Sequence, residues 1–169
     1  MRKGFTLIEI LIVVAIIAIL ASVVLVGLGP TQQAGRDARR LSDLRGVQTA
    51  LELYFSSCGF YPGPKIPATG CAGQAFGSAP TTWAGTTGLQ GILQGSSLGV
   101  NTVPDDPSTG KHYFYGSDSG SVYVIGAQLE NKNASVFTNY TPPPLPVSFT
   151  TDGGTVTCTA SGGQFCFTL

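Results

Sequence analysis

A long uncharged run near the N-terminus limits what this chain can fold into. No charged residue occurs from Ile10 to Gly35, and nearly every side chain from Phe5 to Leu28 is apolar. At about 1.5 Å of rise per residue, a helix over that second range is about 36 Å long, more than the roughly 30 Å of a bilayer's hydrocarbon core. Because no polar stripe interrupts the pattern, the helix needs lipid or other helices on every side.

Glu9 is the one exception within the apolar run. A carboxylate at such a position is costly, so it marks a functional site and needs a partner. Two interpretations stay open from the residues alone. Either Glu9 pairs with a positive group, or it reaches the headgroup layer and has no specific partner.

The residues before the run do not form an ordinary secretory signal. Met1-Arg2-Lys3-Gly4 is too short, and no small-residue cleavage site follows the apolar core. The stretch Lys-Gly-Phe-Thr-Leu-Ile-Glu that abuts the apolar helix resembles the class III leader of type IV prepilins and of related pseudopilins, including the major pseudopilins of type II secretion. That resemblance is close over residues 1–55. It implies that residues 1–4 are a leader, that a peptidase cleaves after Gly4, and that Phe5 is N-methylated.

Cleavage after Gly4 would place a positive amine on Phe5. Glu9 is four residues further on, one helical turn away on the same face, so the two charges can meet. The resemblance implies that the amine of one subunit meets Glu9 of a neighbour and sets the axial register of a filament. Glu9 and Phe5 are therefore the predicted assembly residues.

The apolar segment, residues 5–30, is predicted to continue into an amphipathic helix over residues 31–57. Gly27, Gly29 and Pro30 predict a kink between the two, because proline removes an amide donor and clashes with the preceding turn. Apolar residues then recur at steps of three and four, and Gly59 predicts the end of the helix. The apolar positions of this stripe are Ala34, Ala38, Leu41, Leu44, Val47, Leu51, Tyr54 and Phe55. Arg36, Asp37, Arg40 and Asp43 lie between them. The arginine cluster predicts a solvated, salt-bridged helix face, with a DNA or lipid-headgroup site as the alternative.

Residues 58–130 are predicted to form a globular α+β head, with a variable loop followed by a β-hairpin. Tyr113 to Tyr115 and Val122 to Ile125 are the two β-rich runs of that hairpin. The fold class is therefore α+β, with a long N-terminal helix packed on a small antiparallel sheet, and the resemblance implies that it is type IV pilin-like. Residues 131–169 are predicted to be a C-terminal extension, Pro-rich at first and then held by a disulfide.

All four cysteines follow the apolar segment. With no C-x-x-C pair and a single histidine, His112, a zinc site is not expected, and disulfides in an oxidising compartment are favoured over reduced thiols. Four cysteines allow three pairings, of which the local one is the simplest. That pairing joins Cys58 to Cys71 and Cys158 to Cys166.

The chain offers little that predicts catalysis or nucleic-acid binding. Removing residues 1–4 leaves 7 Lys and Arg against 9 Asp and Glu, a formal charge of −2, which argues against a dedicated nucleic-acid binder. His112 lies in a turn and belongs to no catalytic pattern, so no enzyme activity is expected. No cofactor is predicted, and calcium at Asp105, Asp106 and Asp118 stays an alternative because they are oxygen ligands in loops.

The resulting functional prediction is a structural subunit of a type IV pilus or pilus-like filament. Its predicted partners are copies of itself, the prepilin peptidase and methyltransferase, the pilus assembly platform, and membrane lipid before assembly. The precursor is expected in the cytoplasmic membrane with its N-terminus inside, and the mature chain in an extracellular filament. Two alternatives remain: a pseudopilin of a type II secretion system, and a minor pilin with an adhesion or DNA-uptake role.

Overall fold

A computed structural model of the protein describes residues 4–62, 82–85, 88–117, 120–143, 149–151, 154–156 and 158–168. Side chains are described at all of these except 24–27, 149–151 and 154–156. The chain divides into two compact units, Met1–Gly35 and Arg36–Leu169.

The long predicted helix is present as α1, Leu7–Cys58. It bends between Val23 and Leu28, a stretch that includes Gly27, and Pro30 lies inside the helix. The helix ends where the sequence predicts.

Gly59 is the residue that terminates α1. It takes a left-handed φ of 77°, and its amide donates to the carbonyl of Phe55 at 2.7 Å. A residue with a Cβ would be strained in this conformation. Helices commonly end on a glycine of this kind for that reason.

The unit Arg36–Leu169 adds a short helix and five strands to the C-terminal part of α1. The helix α2 is Leu89–Gly95, and the strands are β1 Phe114–Ser117, β2 Tyr123–Gln128, β3 Phe149–Thr151, β4 Gly154–Val156 and β5 Gln164–Thr168. A three-stranded antiparallel sheet has the order β1-β2-β5, and β3 pairs separately with β4. The predicted hairpin is confirmed by the pairing of β1 with β2, in which Tyr115 lies opposite Ile125.

One face of the sheet and one stripe of α1 form a common core. The helix contributes Leu44, Val47, Leu51 and Tyr54, all at most 1% exposed and spaced by three and four residues. The other buried members of this core are Ala50, Tyr61, Trp83, Leu89, Ile92, Leu93, Val103, Tyr113, Tyr115, Tyr123, Ile125, Ala127 and Leu129. The α+β arrangement of a long helix on a small antiparallel sheet is thus confirmed.

Four of the eight predicted apolar stripe positions are not part of this core: Leu41 is half-buried outside it, and the other three are exposed. Ala34, Ala38 and Phe55 are exposed. The buried positions continue N-terminally to Arg40 and Asp37 instead, so the stripe keeps its spacing but becomes charged at its start. The prediction that these two charged residues form a solvated face is wrong.

The second face of the sheet is covered by a disulfide. Alternation along β2 turns Val124 away from the main core and against Cys158 and Cys166, which are bonded to each other with a Cα–Cα distance of 5.7 Å. Gly126 lies directly opposite Cys166, and a Cβ at that position would come within 2.7 Å of its sulfur. Glycine is required here because the disulfide lies directly on the strand.

Strand β5 joins the C-terminal residues to the head. The sequence assigns residues 131–169 to an extension, yet Gln164–Thr168 pairs along β2 as the third strand of the main sheet. Part of the predicted Pro-rich tract, from residue 144 to 146, lies outside the described residues.

Candidate processing and assembly site

The predicted cleavage point lies just before α1. Gly4, Phe5 and Thr6 have no regular secondary structure, and the Phe5 side chain is 85% exposed. A Cβ built on Gly4 would meet no described atom within 4 Å. Packing among the described residues therefore gives no reason for glycine at position 4, and its role in processing stays a prediction.

Glu9 takes part in a reciprocal capping box with Thr6. The Glu9 carboxylate Oε2 accepts the Thr6 amide at 2.8 Å and the Thr6 hydroxyl at 2.7 Å. In return, the Thr6 hydroxyl oxygen accepts the Glu9 amide at 3.3 Å. This arrangement satisfies two amide groups at the helix start that lack an intrahelical partner.

The capping box gives Glu9 a role that the sequence interpretation overlooked. Its signal was present as Thr-Leu-Ile-Glu, which is the spacing that a capping box requires. Two roles for Glu9 now have to be separated: capping of α1 in its own chain, and pairing with an amine in an assembled filament.

In the first part of α1, up to Val23, all of the large apolar side chains that the structure describes are exposed. Every large hydrophobic side chain between Phe5 and Val23 is at least 51% exposed. Soluble monomers rarely expose contiguous apolar surface of this extent, because its contact with water is unfavourable. This surface therefore needs a covering of lipid or of other protein.

Among the described helices, the requirements of a membrane span are met only by two segments taken together. No single described helix meets the length and hydropathy that crossing a bilayer demands. One bent pair of helical segments, Leu7–Val23 with Leu28–Cys58, meets them together.

The charged residues at the start of the head form a buried ionic network around Arg40, whose side chain is 0% exposed. Its guanidinium binds Asp106 through two parallel hydrogen bonds, from Nε at 2.7 Å and from Nη2 at 2.9 Å. Further hydrogen bonds from Arg40 reach Asp37 at 2.7 Å, Glu130 at 2.9 Å and Ser108 at 2.7 Å. The network joins α1 to the turn before β1 and to Glu130, which follows the end of β2.

Arg36 and Asp37 complete this network. Arg36 donates to both carboxylate oxygens of Glu130, from Nε at 2.7 Å and from Nη2. Asp37 accepts the backbone amides of Glu130 and Asn131 at 3.0 and 2.9 Å. Because these carboxylates accept several hydrogen bonds, their charges are compensated despite burial.

The same contacts perturb the pKa values of the acids. Hydrogen bonds from Arg36 and then Arg40 lower the pKa of Glu130 to about 2. Burial alone would raise the pKa of Asp106, but the hydrogen bonds from Arg40 and Ser108 outweigh it and leave that pKa below the ordinary value. Both groups stay ionised at neutral pH, as a structural ion-pair network requires.

Two of the three residues considered for calcium, Asp105 and Asp106, have protein partners. Both oxygens of Asp106 bind Arg40, and Asp105 accepts the Asp106 amide at 2.8 Å and lies 2.6 Å from His112 Nδ1. Asp118 lies outside the described residues. In the described part of the chain, no group of three or more histidine, cysteine or acidic side chains is arranged to hold a metal ion.

The predicted local disulfide between Cys158 and Cys166 is present. Cys58 is also disulfide-bonded, and Cys71, its predicted partner, lies outside the described residues.

Comparisons with known proteins agree with these features. The family model described as the prokaryotic N-terminal methylation motif matches residues 1–25. The type II secretion system core protein G of Escherichia coli strain K12 is 34% identical over 61 residues, which are 36% of this chain and 42% of that protein. The chain thus spans less than half the length of that curated relative, and no solved structure matches it. Pilins and pseudopilins are structural subunits, not enzymes. The chain therefore carries the prokaryotic N-terminal methylation motif and is similar in part to a type II secretion pseudopilin, and its long helix on a small antiparallel sheet is consistent with a pilin.

Proposed function

We propose that this protein is the repeating structural subunit of a type IV pilus or pilus-like filament. The observation that carries the proposal is the apolar surface of residues 5–23, which is exposed along its described length directly after the methylation motif. Packing this helix among copies of itself covers that surface. Lipid tails are as apolar as these side chains, so close packing of the helices, and not their removal from water, favours assembly from the membrane.

The proposal includes a defined path from precursor to filament. Prepilin peptidase cleaves after Gly4 and methylates Phe5 while residues 5–30 lie in the cytoplasmic membrane with the N-terminus inside. The assembly platform then moves the subunit from lipid into the filament, and the head remains outside. Support for the orientation comes from the leader motif and from the Cys158–Cys166 disulfide, since such bonds persist in oxidising compartments.

Mass analysis of filaments sheared from the cells tests this proposal. The expected main component is a chain that begins at N-methylated Phe5. A chain that retains residues 1–4, or one that is absent from the filaments, would overturn it. Gly4→Leu is expected to abolish cleavage, whereas a normally shortened Gly4→Leu product would refute the assigned cleavage site.

Glu9 variants separate the two roles of this side chain. Glu9→Gln keeps an acceptor suited to a capping box but removes the charge, so we expect normal processing and at least a tenfold loss of filaments. Thr6→Val removes half of the capping box at a cost of about 1 kcal/mol but keeps the charge, so filaments should persist. The opposite pattern, with filaments from Glu9→Gln and none from Thr6→Val, would assign Glu9 to capping alone.

A second candidate function is a pseudopilin of a type II secretion system. The similarity to the core protein G of that system favours it. In that case, the chain that begins at methylated Phe5 would be found in membranes but not in surface filaments. Deletion of the protein would then reduce protein secretion.

A further inference from the structure

An apolar groove lies on the exposed side of α1 within the head. It has a volume of about 240 Å³ and runs between the helix residues Gly46, Thr49 and Leu53 and the segment 100–104. Leu53 is 48% exposed, although it is a large hydrophobic side chain. We refer to this feature as the α1 groove.

The lining of the α1 groove selects the chemistry of its occupant. No charged side chain lines it, so a charged or strongly polar ligand would lose its hydration without compensation. An apolar cavity of about 150 Å³ accommodates benzene. The α1 groove therefore has room for one or two branched aliphatic side chains.

Such side chains are displayed by the chain itself. The leucine, isoleucine and valine side chains described between Leu7 and Val23 are all more than half exposed, and no charge occurs from Ile10 to Gly35. We refer to these exposed side chains as the ridge. The uncharged ridge and the uncharged α1 groove can meet without burying an unpaired charge.

The ridge and the groove are different surfaces of one chain. A contact between them is heterologous, and such contacts propagate into open filaments unless their rotation closes a ring. We propose that the α1 groove receives aliphatic side chains from the N-terminal apolar helix of a second copy of this chain. This inference rests on the proposed function and identifies a specific subunit contact within it.

Gly46 provides a second observation. It is an interior residue of α1 in sequence, yet it is exposed, and a Cβ built there would meet no described atom within 4 Å. Glycine inside a helix costs about 1 kcal/mol relative to alanine, and nothing among the described residues of the isolated subunit requires it. A small residue at position 46 keeps the groove open.

Gly46→Leu tests the proposal, because it fills the groove while it improves helix propensity. In the full-length protein in detergent, we expect thermal stability equal to or above that of the wild type. In cells, we expect at least a tenfold loss of filaments despite normal processing. Gly46→Ala, which leaves most of the groove open, and Ser56→Leu, which adds the same side chain to an exposed position outside the groove, should both assemble normally.

Two outcomes of the substitutions contradict the proposal. Normal filament yield from Gly46→Leu would show that the groove is not an assembly contact. Equal losses from Gly46→Leu and Ser56→Leu would show that the effect comes from any added exposed leucine.

A photo-cross-linking amino acid at Thr49 identifies the occupant directly. The expected product has twice the mass of the chain, and its second peptide lies within residues 5–28. Cross-links only to lipid, to another protein, to the same chain or to a second copy's head would overturn the inference.

The two levels of inference fail differently. If wild-type chains are absent from sheared filaments, the proposed function fails. If wild-type and Gly46→Leu chains both assemble, only the assignment of the groove fails.

Discussion

Replacement of Arg40 by methionine removes the centre of the ionic network and leaves its acids in place. The Arg40 side chain is 0% exposed and that of Asp106 is 1% exposed. Asp37 keeps two backbone amides and Glu130 keeps Arg36. Asp106 therefore loses most, because its buried charge loses both bonds of the paired guanidinium.

The expected destabilisation follows from that uncompensated charge. Breaking a buried ion pair by removing one partner costs about 3–5 kcal/mol. For a chain of this size, each kcal/mol lowers Tm by about 2–4 °C, so we expect a decrease of about 6–20 °C. Arg39→Met is the matched control, since Arg39 is 65% exposed and lies 3.6 Å from Asp43. An exposed pair of that kind contributes about 0–1 kcal/mol.

Thermal unfolding of the full-length protein in detergent, followed by near-ultraviolet circular dichroism, measures this difference. Adding Asp106→Asn to Arg40→Met removes the buried charge and should recover part of the loss. Arg40→Met within about 1 kcal/mol of the wild type would refute the reasoning. The reasoning would also be refuted if Asp106→Asn lowered the stability of Arg40→Met by more than it lowers the stability of the wild type.

Two further predictions concern the same head. The pKa of Glu130 is lowered from its ordinary 4.5 to about 2, so the ionised acid contributes its full stabilisation above about pH 4.5 and loses it as the pH falls to about 2. Tm measured from pH 7 to pH 2 should therefore fall within that window, and the fall should be smaller in Arg40→Met. A fall of equal size in both proteins would contradict the assignment. Tyr140→Phe removes the hydroxyl that donates to the Cys166 carbonyl at 3.0 Å and accepts its amide at 2.9 Å. We expect a loss of about 1–3 kcal/mol and faster aggregation, because an unpaired strand edge can bind another chain; unchanged stability and light scattering would contradict this role.

Local sequence patterns were sufficient for the elements whose stabilising contacts are close in the chain. The long helix follows from its apolar run and its stripe at steps of three and four, and its end follows from Gly59. The hairpin of β1 and β2 follows from two β-rich runs on either side of a turn. Cys158 and Cys166 are eight residues apart, which made the local disulfide the simplest choice.

The ionic network could not be predicted in the same way, because its partners are distant in sequence. Arg40 contacts residues 66 and 90 positions further along. Its burial did have a local signal, since the stripe through Leu44 and Val47 continues backward to positions 40 and 37 at the same spacing. That spacing alone does not indicate burial, because arginine and aspartate are rarely buried unless they are paired.

The pairing of β5 with β2 was also beyond local patterns. The run from Phe165 to Thr168 contains residues that favour strands, but nothing nearby in the sequence specifies its partner. The register depends on alternation across the sheet, where Cys166 must lie on the face that carries the disulfide and Phe165 and Phe167 on the helix face. Such a choice is made by packing on both faces at once.

The position of the network along α1 suggests why the protein uses charge there. The uncharged stretch ends at Gly35, and the first buried residue of the helix is Asp37. An apolar residue at position 40 would need no particular partner, so the register of α1 on the sheet would be less specific. Arg40 prevents this, because a shift of one turn would place its guanidinium against an apolar wall without its carboxylates. The buried charges thus specify the register in which α1 packs on the sheet, since Arg40 meets Asp106 and Glu130 in one position only.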